Sequence, residues 1–107
     1  MAKKVIYISG PITGRPDYMR DFNKMETQLT VRGFIPLNPA HLPKGMRNGQ
    51  YMRICMAMID AADAVVLLPD WQNSFGAKLE ADYCNYTGKP AYLSLEGLLE
   101  KEGEPNA

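Results

Sequence analysis

The run at residues 64–68 limits the fold of this 107-residue chain more than any other segment. All five of its residues are apolar, no polar residue alternates with them, and Pro69 ends the run. A strand without alternation is typical of a parallel sheet that helices cover on both faces. Five residues are also far too few to cross a bilayer, and no apolar run in the chain approaches the length of about 20 residues that a spanning helix needs, so the sequence indicates no membrane segment.

Strand-like and helical patterns alternate along the whole chain. In the first helical pattern, Tyr18, Phe22, Met25 and Leu29 follow at spacings of four, three and four, which places them on one helix face. The sequence favours strands at residues 5–9, 34–37, 64–68 and 91–93, and helices that begin near residues 16, 51, 74 and 94. Because crossovers between parallel strands are right-handed, this order predicts an α/β fold. We expect a three-layer, flavodoxin-like (Rossmann-like) open parallel sheet of four or five strands in the order 2-1-3-4.

Length, composition and charge limit the partners of the chain. Residues 1–107 are expected to form a single domain whose polar tail, residues 100–107, frays. Twelve basic and twelve acidic residues give no net charge, which argues against binding of polymeric nucleic acid. Nine basic and three acidic residues fall in residues 1–53, and three basic and nine acidic in residues 54–107. This asymmetry indicates either an anionic ligand or charges that segregate without function.

The two cysteines indicate neither a disulfide nor a metal site. Cys55 and Cys84 form no CxxC pair and match no zinc spacing, and each lies in a helical pattern among apolar residues. We expect both to be reduced core thiols of a cytoplasmic protein, and we expect neither a metal nor a cofactor.

Topology singles out two loops as the ligand-binding edge. Ligands of such sheets bind beyond the carboxyl ends of strands one and three, where the strand order reverses. These ends lead into residues 9–16 and 69–76. The first loop contains Gly10 and Gly14, which allow close approach of the backbone to an anion, although an ordinary tight turn explains them equally well. A third irregular stretch, residues 38–50, is long enough to suggest a lid or an oligomer contact.

Glu80 is the acidic residue that a structural role explains least. It shares a helix face with Ala77 and Cys84, and that face should pack on the sheet. Burial of a carboxylate there lowers the stability of the fold unless a partner group compensates its charge. Glu80 therefore has either a functional role or a structural salt bridge. We expect Glu80 in the crevice at the carboxyl edge of the sheet, within side-chain reach of Tyr7. The hydroxyl of Tyr7 either points toward this crevice or forms a hydrogen bond with buried backbone.

Two segments resemble the nucleoside 2-deoxyribosyltransferase superfamily, which includes 2′-deoxynucleoside 5′-monophosphate N-glycosidases and small phage and bacterial proteins. One is Tyr-Ile-Ser-Gly-Pro-Ile-Thr-Gly at residues 7–14, and the other is Ser74-x-Gly76-x-x-x-Glu80. The resemblance extends over residues 5–93. It implies that Glu80 is the catalytic glutamate that attacks the anomeric carbon, and that Tyr7 lies beside it.

Three departures from the family pattern refine this resemblance. Ser74 stands where the transferases have an aspartate and where the monophosphate N-glycosidases have a serine that binds the 5′-phosphate. Thr13 replaces an arginine of those hydrolases, and Arg15 could substitute for it. Cys55 falls at the position of a second active-site aspartate, which a thiol cannot replace as a hydrogen-bond acceptor.

The resemblance and the two loops at the carboxyl edge of the sheet together indicate a candidate site. Catalytic candidates are Glu80, Tyr7 and Asp70, the last as the group that protonates the leaving base, and Trp71 could stack on that base. The expected ligand-binding residues are Ser9, Gly10, Ile12, Thr13, Gly14, Arg15, Trp71, Ser74 and Gly76.

These residues predict cleavage of an N-glycosidic bond or transfer of a 2-deoxyribosyl group, on deoxynucleoside 5′-monophosphates and with Glu80 as nucleophile. The alternative is a non-catalytic nucleotide-binding protein that keeps the same crevice. The expected partners are a small nucleotide or nucleoside and further copies of the chain, since family members complete their sites across a dimer. No membrane partner is expected.

Overall fold

The computed structural model describes residues 2–105. Strands and helices alternate as β1 (Val5–Ser9), α1 (Tyr18–Val31), β2 (Ile35–Leu37), α2 (Asn48–Ala61), β3 (Ala64–Leu67), α3 (Phe75–Thr87), β4 (Ala91–Tyr92) and α4 (Leu95–Glu102). Two short 3-10 turns lie at Pro39–His41 and Trp71–Asn73. All strand pairs are parallel and the order is β2-β1-β3-β4. The predicted α/β fold and strand order are confirmed.

The two faces of the sheet carry separate apolar cores. Ile6 and Ile8 of β1 pack on α1 and α4, whereas Tyr7 between them packs on α2 and α3. Successive side chains of a strand point to opposite faces, so one strand supplies both cores. β3 is buried along its whole length, as the apolar run at residues 64–68 predicts. The helices therefore form one layer on each face of the sheet.

Local signals in the sequence set the ends of α3 and α4. Ser74 accepts a hydrogen bond from the backbone N–H of Ala77 at 3.2 Å, and Ser94 accepts one from Gly97 at 3.1 Å. Such caps satisfy N–H groups that have no partner within the helix. α3 ends at Gly88, whose φ of +78° is a left-handed conformation that glycine adopts without steric cost.

The structure differs from the sequence-based expectation at two segments. Residues 38–50 are not wholly irregular: they include the turn at Pro39–His41, and α2 begins at residue 48 rather than 51. The side chain of Gln50 accepts a hydrogen bond from the N–H of Arg47 at 2.9 Å. This bond stabilises the first turn of the helix, which therefore begins before the apolar periodicity at residue 51.

The second difference concerns the tail that was expected to fray. Residues 100–102 belong to α4, and the carboxylate of Glu102 accepts hydrogen bonds from Lys4 at 2.9 Å and from Tyr92 at 2.5 Å. Glu104 pairs with Arg32 at 3.3 Å. The polarity of these residues suggested fraying, but the charges of Glu102 and Glu104 find partners elsewhere in the fold. Residues 106 and 107 lie outside the described part of the chain. None of the helices within residues 2–105 is both long and apolar enough to span a bilayer.

Gly10 is expected to be required for packing where β1 ends. A Cβ atom at this position would lie 2.9 Å from both Cβ and Cδ1 of Leu68, closer than side chains pack. Gly10→Ala should therefore lower the free energy of unfolding by about 1–3 kcal/mol, the usual cost of overpacking. Gly97→Ala is the control, since its Cβ would meet the nearest atom at 3.4 Å within a helix, and it should not destabilise the protein. Urea denaturation curves measure both, and equal stability of the two variants would contradict this prediction.

Candidate active site

A buried carboxylate joins α3 to the central strand. Glu80 is 7% exposed, and its Oε1 accepts a hydrogen bond from the hydroxyl of Tyr7 at 3.0 Å and from that of Ser9 at 2.8 Å. Both bonds end on the same oxygen. Within the part of the chain that the structure describes, no hydroxyl or backbone N–H donates to Oε2, and the thiol of Cys55 is the further side chain that interacts with this carboxylate.

The local fold explains why these three residues meet. Tyr7 and Ser9 are two positions apart on β1, so their side chains leave the same face of the sheet. On α3, the inward face consists of Ala77, Glu80 and Cys84. Because Ala77 is small, this helix can lie close to the strand, and Glu80 is the longest side chain of that face. Tyr7 lies within hydrogen-bond distance of Glu80, as the sequence predicts.

Cys55 completes this cluster from α2. It is 7% exposed, packs in one core with Tyr7 and Cys84, and interacts with both Tyr7 and Glu80. Both cysteines are free and buried, as expected. Burial raises the pKa of Cys55 to about 11 and that of Cys84 to about 11, so both thiols are neutral at physiological pH.

Burial also controls the ionisation of Glu80 and Tyr7. Loss of water raises the pKa of Glu80 above its ordinary value of 4.5, and the hydrogen bonds from Ser9 and Tyr7 partly oppose this effect because they stabilise the carboxylate. Burial first, and then the charge of Glu80, raise the pKa of Tyr7 well above 10.0. Tyr7 therefore stays protonated and remains a hydrogen-bond donor to the carboxylate.

Glu80 lies in the wall of a cavity of about 760 Å³ at the carboxyl edge of the sheet. This volume is in the range of small-molecule sites and can hold a nucleotide. Three parts of the chain form the wall: the loop after β1, the segment from residue 39 to α2, and the start of α3. Lys44 and Glu80 are the only charged side chains in it among the described residues.

Most of the ligand-binding residues expected from the sequence surround this cavity. Its wall includes Gly10, Ile12, Thr13, Ser74 and Gly76. Tyr7 and Ser9 are fully buried and do not line the cavity themselves, but both donate hydrogen bonds to Glu80, which does.

Besides Tyr7 and Ser9, four of the expected residues are not in the wall: Gly14, Arg15, Asp70 and Trp71. The guanidinium of Arg15 instead pairs with the carboxylate of Asp70 at 2.6 Å, which links the loops after β1 and β3. Asp70 is exposed and has a backbone φ of +66°. This left-handed conformation is uncommon for residues other than glycine, although aspartate adopts it more often than most.

Sequence reasoning did not assign the residues of the second wall segment: Pro39, Ala40, Leu42, Lys44, Asn48, Gly49, Tyr51 and Met52. It identified residues 38–50 only as a lid or an oligomer contact. The signal was the length of this stretch, but neither periodicity nor a motif connects it to the sheet edge. Across residues 2–105, no group of three or more His, Cys, Asp or Glu side chains could hold a metal ion.

Removal of the Ser9 hydroxyl should raise the pKa of Glu80 further. The bond from Ser9 favours the charged carboxylate, so Ser9→Ala destabilises the ionised form and moves its titration to higher pH. NMR titration of the Glu80 side-chain carboxyl carbon measures this shift. Ser94→Ala removes a hydroxyl that caps α4 instead, and it should leave the titration unchanged. A titration of Glu80 at lower pH in Ser9→Ala would show that the hydrogen bond does not act in this way.

Comparisons with known proteins bear on this fold and on the family of the chain. Among solved structures, the chain is similar to a "2-desoxiribosyltransferase from Leishmania mexicana", with a TM-score of 0.64 and 24% identity over 94% of this chain and 72% of that one. At this identity the likeness shows the fold, which agrees with the α/β fold expected from the order of strands and helices. No curated protein matches the chain. The profile of a family described as "Domain of unknown function (DUF4406)" matches residues 4–92. The chain therefore belongs to the DUF4406 family.

Proposed function

We propose that the protein cleaves the N-glycosidic bond of 2′-deoxynucleoside 5′-monophosphates, or transfers their 2-deoxyribosyl group, with Glu80 as the nucleophile. The observation that carries this proposal is the buried carboxylate of Glu80, held by two hydroxyls in the wall of a cavity of nucleotide size. The likeness to a solved structure described as a 2-desoxiribosyltransferase is consistent with it.

The two oxygens of Glu80 have different tasks in this reaction. Tyr7 and Ser9 hold Oε1, which fixes the orientation of the carboxylate. Oε2 attacks the anomeric carbon as the C–N bond breaks, and the leaving base takes the electron pair of that bond together with a proton from solvent water. The negative charge stabilises the oxocarbenium-like transition state, as in retaining glycosidases. Water then releases the sugar phosphate from Glu80, or a second base takes the sugar in its place.

The start of α3 supports a phosphorylated substrate. Ser74 and Gly76 line the cavity there, together with Gly10 and Thr13 from the loop after β1. The N-terminus of a helix carries partial positive charge and free N–H groups, which favour an anion. Ser74 is also the serine that distinguishes monophosphate N-glycosidases in the family resemblance. A deoxynucleoside 5′-monophosphate would place its phosphate away from Glu80, since the two negative charges repel each other.

A second candidate function is capture of a nucleotide without catalysis, and Cys55 favours it. Its neutral thiol lies beside Tyr7 and Glu80, at the position where the family resemblance implies an aspartate. A thiol is a weak hydrogen-bond acceptor and cannot share a proton with the substrate as a carboxyl group does. In this case the cavity binds the nucleotide and releases no base.

Glu80→Gln should separate catalysis from binding. The amide keeps the shape of the side chain and its Oε1 acceptor, but it removes the charge that stabilises the transition state. Base release should fall at least about 100-fold, the usual effect of losing one preorganised electrostatic group. Chromatography of bases released from the four deoxynucleoside monophosphates measures this rate. Glu96→Gln is the matched control, because Glu96 is exposed on α4 and outside the cavity wall.

Two results would count against catalysis by Glu80. An unchanged rate of base release by folded Glu80→Gln would show that this carboxylate is not the nucleophile. No base release by the wild-type protein, with monophosphates still bound, would instead support nucleotide capture. Base release by Cys55→Asp would then identify the thiol as the cause of the inactivity.

A further inference from the structure

The cavity has a single source of positive side-chain charge. Lys44 is the only basic residue in its wall, and Glu80 is the only other charged residue there, among those that the structure describes. Arg15, the basic residue that sequence reasoning favoured for an anion, is outside the wall and paired with Asp70 at 2.6 Å. A ligand with one anionic end would therefore meet attraction at Lys44 and repulsion at Glu80.

The charge of Lys44 is not neutralised by the described part of the protein. Across residues 2–105, its ammonium group forms no ion pair and no hydrogen bond. Other lysines differ, since Lys4 pairs with Glu102 at 2.9 Å and Lys89 donates to the carbonyl of Ala62. Lys44 is exposed at the cavity, so its three N–H donors are available to a ligand.

Tyr51 fixes the loop that carries Lys44. Its hydroxyl donates to the carbonyl of Pro43 at 2.6 Å and accepts from the N–H of Met46 at 3.2 Å, one bond on each side of Lys44. Gly45, with a φ of +93°, makes the turn between them. Tyr51 lies in the first turn of α2 and itself lines the cavity. The backbone beside Lys44 is thus attached to the cavity wall.

We propose that Lys44 binds the 5′-phosphate of the substrate and that Tyr51 is the positioning residue that holds it there. This inference rests on the proposed function, and it adds Lys44, rather than Arg15, to the start of α3 as the charged group that contacts the phosphate. Contact of the phosphate with Lys44 fixes one end of the nucleotide, and the sugar then points its anomeric carbon toward Glu80. The pair therefore determines both the preference for phosphorylated substrates and their orientation.

The test compares deoxynucleoside monophosphates with the corresponding deoxynucleosides by titration calorimetry. All variants carry Glu80→Gln, so that no base is released during the titration. Lys44→Gln should weaken monophosphate binding about tenfold or more, as expected for loss of a charge-assisted hydrogen bond, and leave nucleoside binding unchanged. Lys24→Gln, an exposed lysine on α1 outside the cavity wall, changes the net charge equally and should have no effect on either ligand.

Tyr51→Phe tests the positioning role separately. It keeps the ring in the cavity wall but removes both bonds to the loop, so it should weaken the monophosphate about threefold or more while sparing the nucleoside. Because Tyr51 acts through Lys44, the double variant should bind the monophosphate no more weakly than Lys44→Gln alone. Additive losses would contradict the positioning role.

Three further outcomes would overturn the assignment of Lys44. The first is retention of the full phosphate preference by Lys44→Gln, and the second is loss of that preference in Arg15→Gln instead. Both would leave the proposed function standing, since the protein would still bind monophosphates. The third is binding of neither ligand by the parent protein, which would refute the proposed function and the phosphate contact together.

Discussion

The two hydrogen bonds from β1 to Glu80 are the interaction on which the rest of the site depends. A carboxylate on the inward face of a helix would lose its solvation without replacement, and Tyr7 and Ser9 provide that replacement from the neighbouring strand. The same bonds tie α3 to the central strand and set the position of the loop before this helix. The cavity thus forms where one strand, one helix and their flanking loops are held together.

This arrangement has a cost in stability that varies with pH. Because burial raises the pKa of Glu80 in the folded protein above the ordinary 4.5, the folded state holds this proton more tightly than the unfolded state does. Stability therefore falls as pH rises through the ordinary value to the raised one, and the full penalty applies above the raised pKa. A group retained at such a cost is more readily explained by chemistry than by folding. The hydroxyls of Tyr7 and Ser9 limit this penalty because their hydrogen bonds stabilise the charged carboxylate.

The sheet and one half of the cavity could be predicted from the sequence because local patterns determine them. The apolar run at residues 64–68 indicated β3 as a buried parallel strand, and helical periodicity placed Glu80 on the inward face of α3. The other half could not be predicted, because its position depends on contacts between distant parts of the chain. The bonds from Tyr51 to the loop at Lys44 have no signature in composition or spacing. The pairing of Arg15 with Asp70 likewise follows from the approach of two loops, and each residue taken alone suggested a different role.

The most direct measurement is mass spectrometry of the protein after incubation with a 2′-fluorinated arabinonucleoside 5′-monophosphate. Fluorine beside the anomeric carbon destabilises the oxocarbenium-like states, so a covalent sugar intermediate should accumulate if the reaction forms one. The mass of the protein should increase by one fluorinated sugar phosphate, and the labelled peptide should carry the modification on Glu80. Release of base without any label, or a label on another residue, would show that Glu80 is not the nucleophile.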